Sequence, residues 1–214
     1  MDIQFFGANC IALTTKHARV VIDDNLAELG GKPVIKPGDI ALFTHEHSNQ
    51  AQGAKILIDQ PGEYEVSGVS IYGITTRSHM DEEGKRSATM YKIVVEDMRI
   101  LVTGHIYPEL TDSQLENIGM VDVMFVPIGG NGYTLDSIGA LKLLKKIEPK
   151  MVIPTHYDDK DLNFPVPQQE LEQGIKGLAL EPKEAVSKLK LKATDLNEGM
   201  QLVVLQKISR SSFT

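Results

Sequence analysis

The sequence predicts a layered α/β domain, and three observations carry the prediction. Short apolar and β-branched runs recur along the whole chain, among them Val20-Val21-Ile22, Ile40-Ala41-Leu42-Phe43 and Val121 to Val126, each of strand length. They alternate with two or three helical stretches, which is the pattern of packed sheet and helix layers. The chain has 214 residues and is 42% hydrophobic. That is enough for one sizeable core, so residues 1–214 are expected to form a single domain.

Residues 3–13 and 18–23 read as two strands, with Ile3, Phe5, Ile11 and Leu13 alternating along the first. Asp23-Asp24-Asn25 closes the second strand. These residues make either a polar turn or carboxylate support behind a metal site. Gly30-Gly31-Lys32-Pro33 and Lys36-Pro37-Gly38-Asp39 are loop signals before a strand at 40–44. Residues 55–58 and 63–76 continue as strand, the latter a hairpin with Ser67-Gly68 at its tip, and Pro61-Gly62 marks a turn. Met90 to Val95 and Arg99 to Thr103 form a second hairpin, turning at Glu96-Asp97.

Thr111-Asp112-Ser113-Gln114 is a capping box, in which hydroxyl and amide satisfy the free donors of a helix start. Gly119 is placed to end that helix. After the strand at 121–126, Gly129-Gly130-Asn131-Gly132 leads to a helix with Thr134 as N-cap candidate and an apolar stripe of Ala140, Leu144 and Ile147. A strand-to-helix turn explains these glycines, and a phosphate cradle is the alternative, although no P-loop spacing is present. Glu148-Pro149 stops the helix, Met151-Val152-Ile153 is another strand, and Gln168 to Lys176 reads as a short helix. The tail reads as two strands, 187–194 and 200–207, joined at Asn197-Glu198-Gly199.

The formal net charge is −7 and the pI about 5.4. Binding to nucleic acid or an anionic membrane needs clustered Lys and Arg, so neither partner is expected. Cys10 is the single cysteine, which excludes an internal disulfide and suits a reducing compartment. Met1-Asp2-Ile3-Gln4 has no signal-peptide character and no apolar run reaches membrane-spanning length. A cytoplasmic protein is the expectation, with a small molecule as substrate or ligand and a homo-oligomer left open.

The histidines carry the functional signal. His45 and His47 follow the apolar run Ile40 to Phe43. Residues two apart in extended chain face the same side, so both imidazoles can address one point. His79 sits in a polar loop, His105 just past the strand ending at Thr103, and His156 just past Met151 to Ile153. Five of the six histidines therefore lie beyond strand ends, where functional groups gather. His17 sits in an ordinary turn. A shared metal site is one reading of the five; exposed loop histidines are the other.

Several motifs in order resemble the metallo-β-lactamase superfamily, in particular its short bacterial branch of zinc-dependent hydrolases that includes sugar-phosphate lactonase-like proteins. Phe6-Gly7-Ala8-Asn9-Cys10 resembles the family's opening Gly-His-Ser-Cys, and Ile22-Asp23-Asp24 its Asp-Pro turn. Thr44 to Gln50 stands at the Thr/Ser-His-x-His-x-Asp-His signature. Pro61-Gly62-Glu63-Tyr64-Glu65 matches a Pro-Gly-Glu-Tyr-Glu motif of the branch. Ser78-His79-Met80-Asp81 falls on the His-Asp-Asp loop, Gly104-His105 on the Gly-Asp, and Pro154-Thr155-His156-Tyr157 on the terminal Pro-x-His-Tyr.

The resemblance implies a four-layered αββα sandwich with metals at one edge of the two sheets. It implies a first metal on His45, His47 and His79. The second-metal positions are Asn49, Gln50, His105 and His156, of which only His156 keeps the family's residue, and Ala8 replaces the opening histidine. Asn and Gln offer only neutral carbonyl oxygen, a poor zinc ligand, and His105 removes a bridging negative charge. The expectation is therefore at most one ion, zinc first, with manganese or iron admitted. His105 either fills its fourth position or stays out of the shell.

Three functions follow for weighing. One is a single-metal hydrolase of an ester, lactone or phosphoester, with Asp23 or His156 orienting water or moving protons. The second is a non-catalytic family member that serves as a ligand-binding or interaction module. The third, nucleic-acid processing, conflicts with the acidic balance.

Overall fold

The computed structural model describes residues 1–45, 47, 51, 53–196 and 199–208. Asn49 and Gln50, and the expected Asn197-Glu198 turn, lie outside the described residues. Strands β1 (Asp2–Gly7), β2 (Cys10–Thr14), β3 (Arg19–Ile22), β4 (Ile40–Leu42) and β5 (Ile56–Ile58), with the short β13 (Leu189–Lys190), form a six-stranded sheet ordered β13-β1-β2-β3-β4-β5. An eight-stranded sheet is ordered β12 (Pro182–Val186), β14 (Gln201–Leu205), β11 (Met151–Thr155), β10 (Val123–Pro127), β9 (Met98–Val102), β8 (Ala88–Val95), β7 (Val69–Thr76) and β6 (Gly62–Val66). The α-helices are α1 (Asp112–Ile118), α2 (Ser137–Ile147) and α3 (Leu171–Leu178). Among the described residues no helix is long and apolar enough to cross a membrane.

Strand alternation divides the apolar residues into layers. On β10, Val123 and Phe125 join a cluster with Ile11, Leu13, Ile22 and Leu42 of the smaller sheet. The intervening Met124 and Val126 pack with Leu143 and Leu144 of α2 and Leu178 of α3. β11 repeats the division, Met151 and Ile153 inward and Val152 toward the helices. Central strands buried on both faces read as continuous apolar runs for this reason. The far face of the smaller sheet, with Cys10, Ala12 and Val21, is covered by Leu26, Val34 and Leu162. Leu26 opens a 3-10 turn, Leu26–Leu29; among the described residues loops and this turn, rather than a long helix, make that outer layer.

The hairpins at Ser67-Gly68 and Glu96-Asp97 form as expected, with positive φ at all four residues. The α1 capping box is also present, with Gly119 at the C-cap.

Four expectations need correction. Residues 3–13 are not one strand, because Gly7 (φ 110°) and Ala8 (φ 48°) turn the chain back into the β1–β2 hairpin. The N-cap of α2 is Asp136, not Thr134, and its carboxylate accepts from the Gly139 amide at 2.7 Å. A carboxylate seated at the helix start also removes the argument for a phosphate cradle. The third helix starts later than Gln168, at Leu171. The tail strands do not pair with each other: β13 lies in one sheet, β14 in the other, residues 193–195 are a 3-10 turn, and β12 precedes them.

Phe125 is 1% exposed between the two sheets. Phe125→Ala is expected to cost about 3–5 kcal/mol through lost burial and the cavity left behind. Urea unfolding followed by circular dichroism should show a lower midpoint at unchanged slope.

Candidate metal centre

The site is a rim formed by the ends of parallel strands. β3, β4 and β5 run parallel, as do β9, β10 and β11. Just beyond their C-terminal ends come Asp23 after β3, Thr44, His45 and His47 after β4, and Asp59 after β5. His105 follows β9 and His156 follows β11. Ligand sites in α/β sheets collect at such ends. Backbone bonds tie the two sheets together there: Thr89 N–H to Thr44 O at 2.8 Å and His156 N–H to Ala8 O at 2.8 Å. The Thr155 hydroxyl also donates to Asn9 Oδ1 at 2.8 Å.

Three histidines meet. The His105 ring centroid lies 4.6 Å from that of His45 and 4.5 Å from that of His156. Tyr133 packs edge-on to His105 at 5.0 Å, and Phe164 lies 5.0 Å from His156. His156 holds φ 51°, a conformation rare outside glycine that clusters at functional sites. Gly104, which presents His105, has φ 62°, and a Cβ there would lie 2.1 Å from Thr44 Oγ1. Only glycine permits this approach of the two sheet rims.

Hydrogen bonds set the ring orientations. The Gln168 amide nitrogen donates to Val166 O at 2.9 Å, so its Oε1 faces His156 Nδ1 at 3.0 Å and accepts its proton. The Tyr133 carbonyl can only accept, so His105 Nδ1 donates to it at 3.3 Å. In the neutral state both rings therefore carry the lone pair on Nε2. The Thr44 hydroxyl donates to Asp23 Oδ2 at 2.7 Å and receives from His45 Nδ1 at 3.3 Å. His45 Nε2 then accepts from the Asn25 amide at 3.1 Å.

Burial keeps the His105 and His156 rings neutral. Desolvation pushes His156 down to about 4, opposed by its bond to Gln168 and aided by His45. Desolvation, then the neighbouring His156 and His45, holds His105 well below the ordinary histidine range. Burial also lowers His79. Asp23 is raised by desolvation, against the pull of His45 and the Thr44 bonds.

Not every expected residue joins the cluster. His47 stacks on Phe43 at 4.0 Å, and its Nε2 sits 3.1 Å from Asp59 Oδ2. With His45 it lines a polar pocket of about 290 Å³ shared with Thr44, Asp59, Gln60, Ser87 and Thr89. His79 packs near Tyr107 at 6.1 Å, and its backbone N–H donates to His105 O at 2.7 Å. The Asp81 carboxylate accepts from Ser78 and Ser87 and so shapes the loop that carries His79. His45 and His47 thus share one pocket, and His79 stands in the loop beside His105.

Asp23 is held by Thr44. One oxygen takes the Thr44 N–H and the other the Thr44 hydroxyl, each at 2.7 Å, so it acts on His45 through Thr44. Tyr133, Gln168 and Asn25 were not foreseen as ring partners. Asp59 was missed although it carries the histidines' own signal, a polar residue just past a strand end.

The donor set decides what metal content fits. Among the described residues no three His, Cys, Asp or Glu side chains are spaced as a finished metal shell. Among the described residues Asp23 is engaged by Thr44 and Asp59 pairs with His47, so neither is placed to bridge two ions. The His105 and His156 rings, each with Nδ1 on a carbonyl oxygen, are oriented as metal-bound histidines are. The buried Nδ1 of His79, which has no hydrogen-bond partner, is a further donor at the same rim.

The depressed histidines make stability depend on pH. In the unfolded chain His156 titrates near 6.5, and in the folded protein near 4. Its contribution is complete above the unfolded value and is lost as pH falls from 6.5 towards 4. The metal-free protein should lose about 3 kcal/mol over that interval from this residue alone. Urea unfolding across a pH series tests this, and His156→Gln should flatten the dependence.

Comparison with known proteins agrees with this architecture. Residues 2–156 match the model of the family described as the beta-lactamase superfamily domain. A UPF0173 metal-dependent hydrolase of Pyrococcus abyssi is 28% identical over 161 residues, 72% of this chain and 69% of its own length. A solved Thermotoga maritima protein assigned to the zinc-dependent hydrolases of the metallo-β-lactamase superfamily superposes with TM-score 0.74 at 24% identity. The match covers 96% of this chain and 98% of that one. CmlA, a diiron β-hydroxylase of Streptomyces venezuelae, shares the fold at TM-score 0.58 and 12% identity over 83% of this chain and 49% of its own. Relatives of this fold thus differ in the metal they are named for. With residues 2–156 of its 214 matched, the chain has the metallo-β-lactamase fold and belongs to the beta-lactamase superfamily domain family.

Proposed function

We propose that this protein is a metal-dependent hydrolase built around one metal ion at the histidine rim, acting on an ester, a lactone or a phosphoester. The observation that carries the proposal is the packing of the His45, His105 and His156 rings beside an open polar pocket. The metal-dependent hydrolase relatives support the reaction class. Zinc suits imidazole donors best among the common candidates, with manganese or iron as the alternatives. Bound there, such an ion would bring the pKa of a coordinated water to about 7 and polarise the scissile group.

The chain's own groups supply the rest. Asp23 holds the tautomer of His45 through Thr44. Gln168 and the Tyr133 carbonyl fix the other two rings. Gln60, Ser87 and Thr89 line the adjoining pocket and can hydrogen-bond a small polar substrate. Asp59 lies in the same pocket, within reach of His47, and is placed to accept a proton there. A soluble cytoplasmic setting and a small-molecule partner belong to the same proposal. The replacement of the second-site residues by Asn49, Gln50 and His105 supports a second reading, a scaffold that binds a metal or ligand without turnover.

Elemental analysis of the purified protein should find one transition-metal ion per chain. A panel of ester, lactone and phosphoester substrates should show turnover that falls to background on chelation and returns with added zinc. A protein that takes up no metal sinks the proposal. Metal uptake with no turnover across the panel selects the non-catalytic reading.

A further inference from the structure

The far face of the smaller sheet carries a second pocket, built by strand alternation. Ile3 and Phe5 of β1 and Val20 and Ile22 of β3 turn into the central core. Phe6 and Arg19 therefore stand on the other side of that sheet. Together with Lys32, Val34, Lys36 and Ile208 they line a cavity of about 520 Å³. That volume is in the range of small-molecule sites. An adjoining recess of about 140 Å³ shares Phe6, Lys32, Val34 and Ile208 and adds the apolar side chains of Leu26 and Leu162.

The charge of this lining runs against that of the chain. The formal net charge is −7, yet among the described residues every charged side chain lining the larger cavity is basic. Asp161, in the recess, is bound by Lys207 at 2.8 Å. Two carboxylates, 1% and 5% exposed, fasten the loop that carries the lysines. Asp24 accepts from the Val34 and Ile35 N–H groups, and Asp39 accepts from the Lys36 N–H at 2.7 Å and from Arg19. Their charge is thus engaged by backbone and by Arg19. Among the described residues the ammonium groups of Lys32 and Lys36 have no ion pair or hydrogen bond. Two unpaired cations on a fastened loop, beside the apolar Phe6 and Val34, suit a ligand that is anionic at one end and apolar along its body.

We propose that this pocket binds a small amphipathic anion, with its head at Lys32 and Lys36 and its body against Phe6, Val34 and Ile208. The recess with Leu26 and Leu162 extends the apolar wall for a longer body. Lysine is a flexible point charge, so the head is selected by its negative charge more than by its shape. The ligand is a free molecule and not part of a bilayer, because the net charge of −7 opposes approach to an anionic surface. This site is separate from the histidine rim, and the proposal does not depend on the hydrolase reading.

The test titrates octanoate into the isotope-labelled full chain and follows the backbone amide shifts. Those of Phe6, Val34 and Lys36 should move to saturation, and those of Thr44, His105 and His156 should stay. Octanol and octyltrimethylammonium, which keep the chain and change the head, should bind at least about tenfold more weakly. Lys32→Glu combined with Lys36→Glu should weaken octanoate by at least about tenfold. Lys142→Glu combined with Lys145→Glu, the same charge change on α2, should leave it within about twofold, since distant surface charges are screened. The comparison of head groups needs wild type alone, so it stands even where the double variant does not fold. Anionic phosphatidylglycerol vesicles should leave the protein in the supernatant. No saturable binding, equal affinity for octanol, shifts confined to the histidine rim, or octanoate binding unchanged by the Lys32 and Lys36 substitutions overturns the site. Sedimentation with the vesicles overturns the assignment to a free ligand.

Discussion

Thr44 is the residue on which the rim depends. It is completely buried at the end of β4. Its N–H and hydroxyl both bind Asp23, its carbonyl accepts from Thr89 of the opposite sheet, and its side chain fills the space that only Gly104 leaves. One residue thereby locks β3 to β4, fixes the two sheets at their rims, and accepts a hydrogen bond from His45 Nδ1. The Asp23 carboxylate is costly to bury, and its raised pKa records that cost. The two bonds from Thr44 offset the cost. The same bonds fix the Asp23 carboxylate beside Thr44.

Electrostatics separates this site from a two-metal one. Two dications close together need negative charge between them. Here the central position is an imidazole whose surroundings hold it neutral, and the nearby carboxylates are engaged elsewhere. A single dication meets no such repulsion. It also reverses the unfavourable environment of the cluster, since coordination uses lone pairs that burial otherwise strands. An ion bound at this rim, as proposed, would couple metal loading to folding.

The strand runs, hairpin tips, capping box and strand-end histidines were legible because each depends on local spacing. The departures each have a physical reason. Ala8 at φ 48° splits an apolar run into two strands, and a non-glycine residue gives no warning of that conformation. Asp136 and Thr134 are both good N-caps, and bonding to Gly139 decided between them. The pairing of β13 and β14 with different sheets is a long-range choice that neither segment encodes by itself. At the site, spacing placed His45 and His47 on one side, but Asp59, twelve residues on from His47, took the second ring. Gln168 and Tyr133 reach the histidines only through the folded loops, so no sequence interval points to them.

The convergence of His45, His105 and His156 follows from topology more than from any motif. β4, β9 and β11 end at one rim because β4 lies in a parallel segment of one sheet and β9 and β11 in a parallel segment of the other. The sheets pack face to face through Phe125, Tyr91 and Leu42. Side chains placed just past those strand ends stand at the same rim. Exchanging a carboxylate for an imidazole there changes the charge of the centre without moving its position. The scaffold thus separates where a ligand set forms from how many ions it can hold. The first is fixed by sheet packing that many residues share, and the one-ion proposal assigns the second to the residues that replace the relatives' carboxylates. That division explains how a fold can keep its rim intact while its metal content changes.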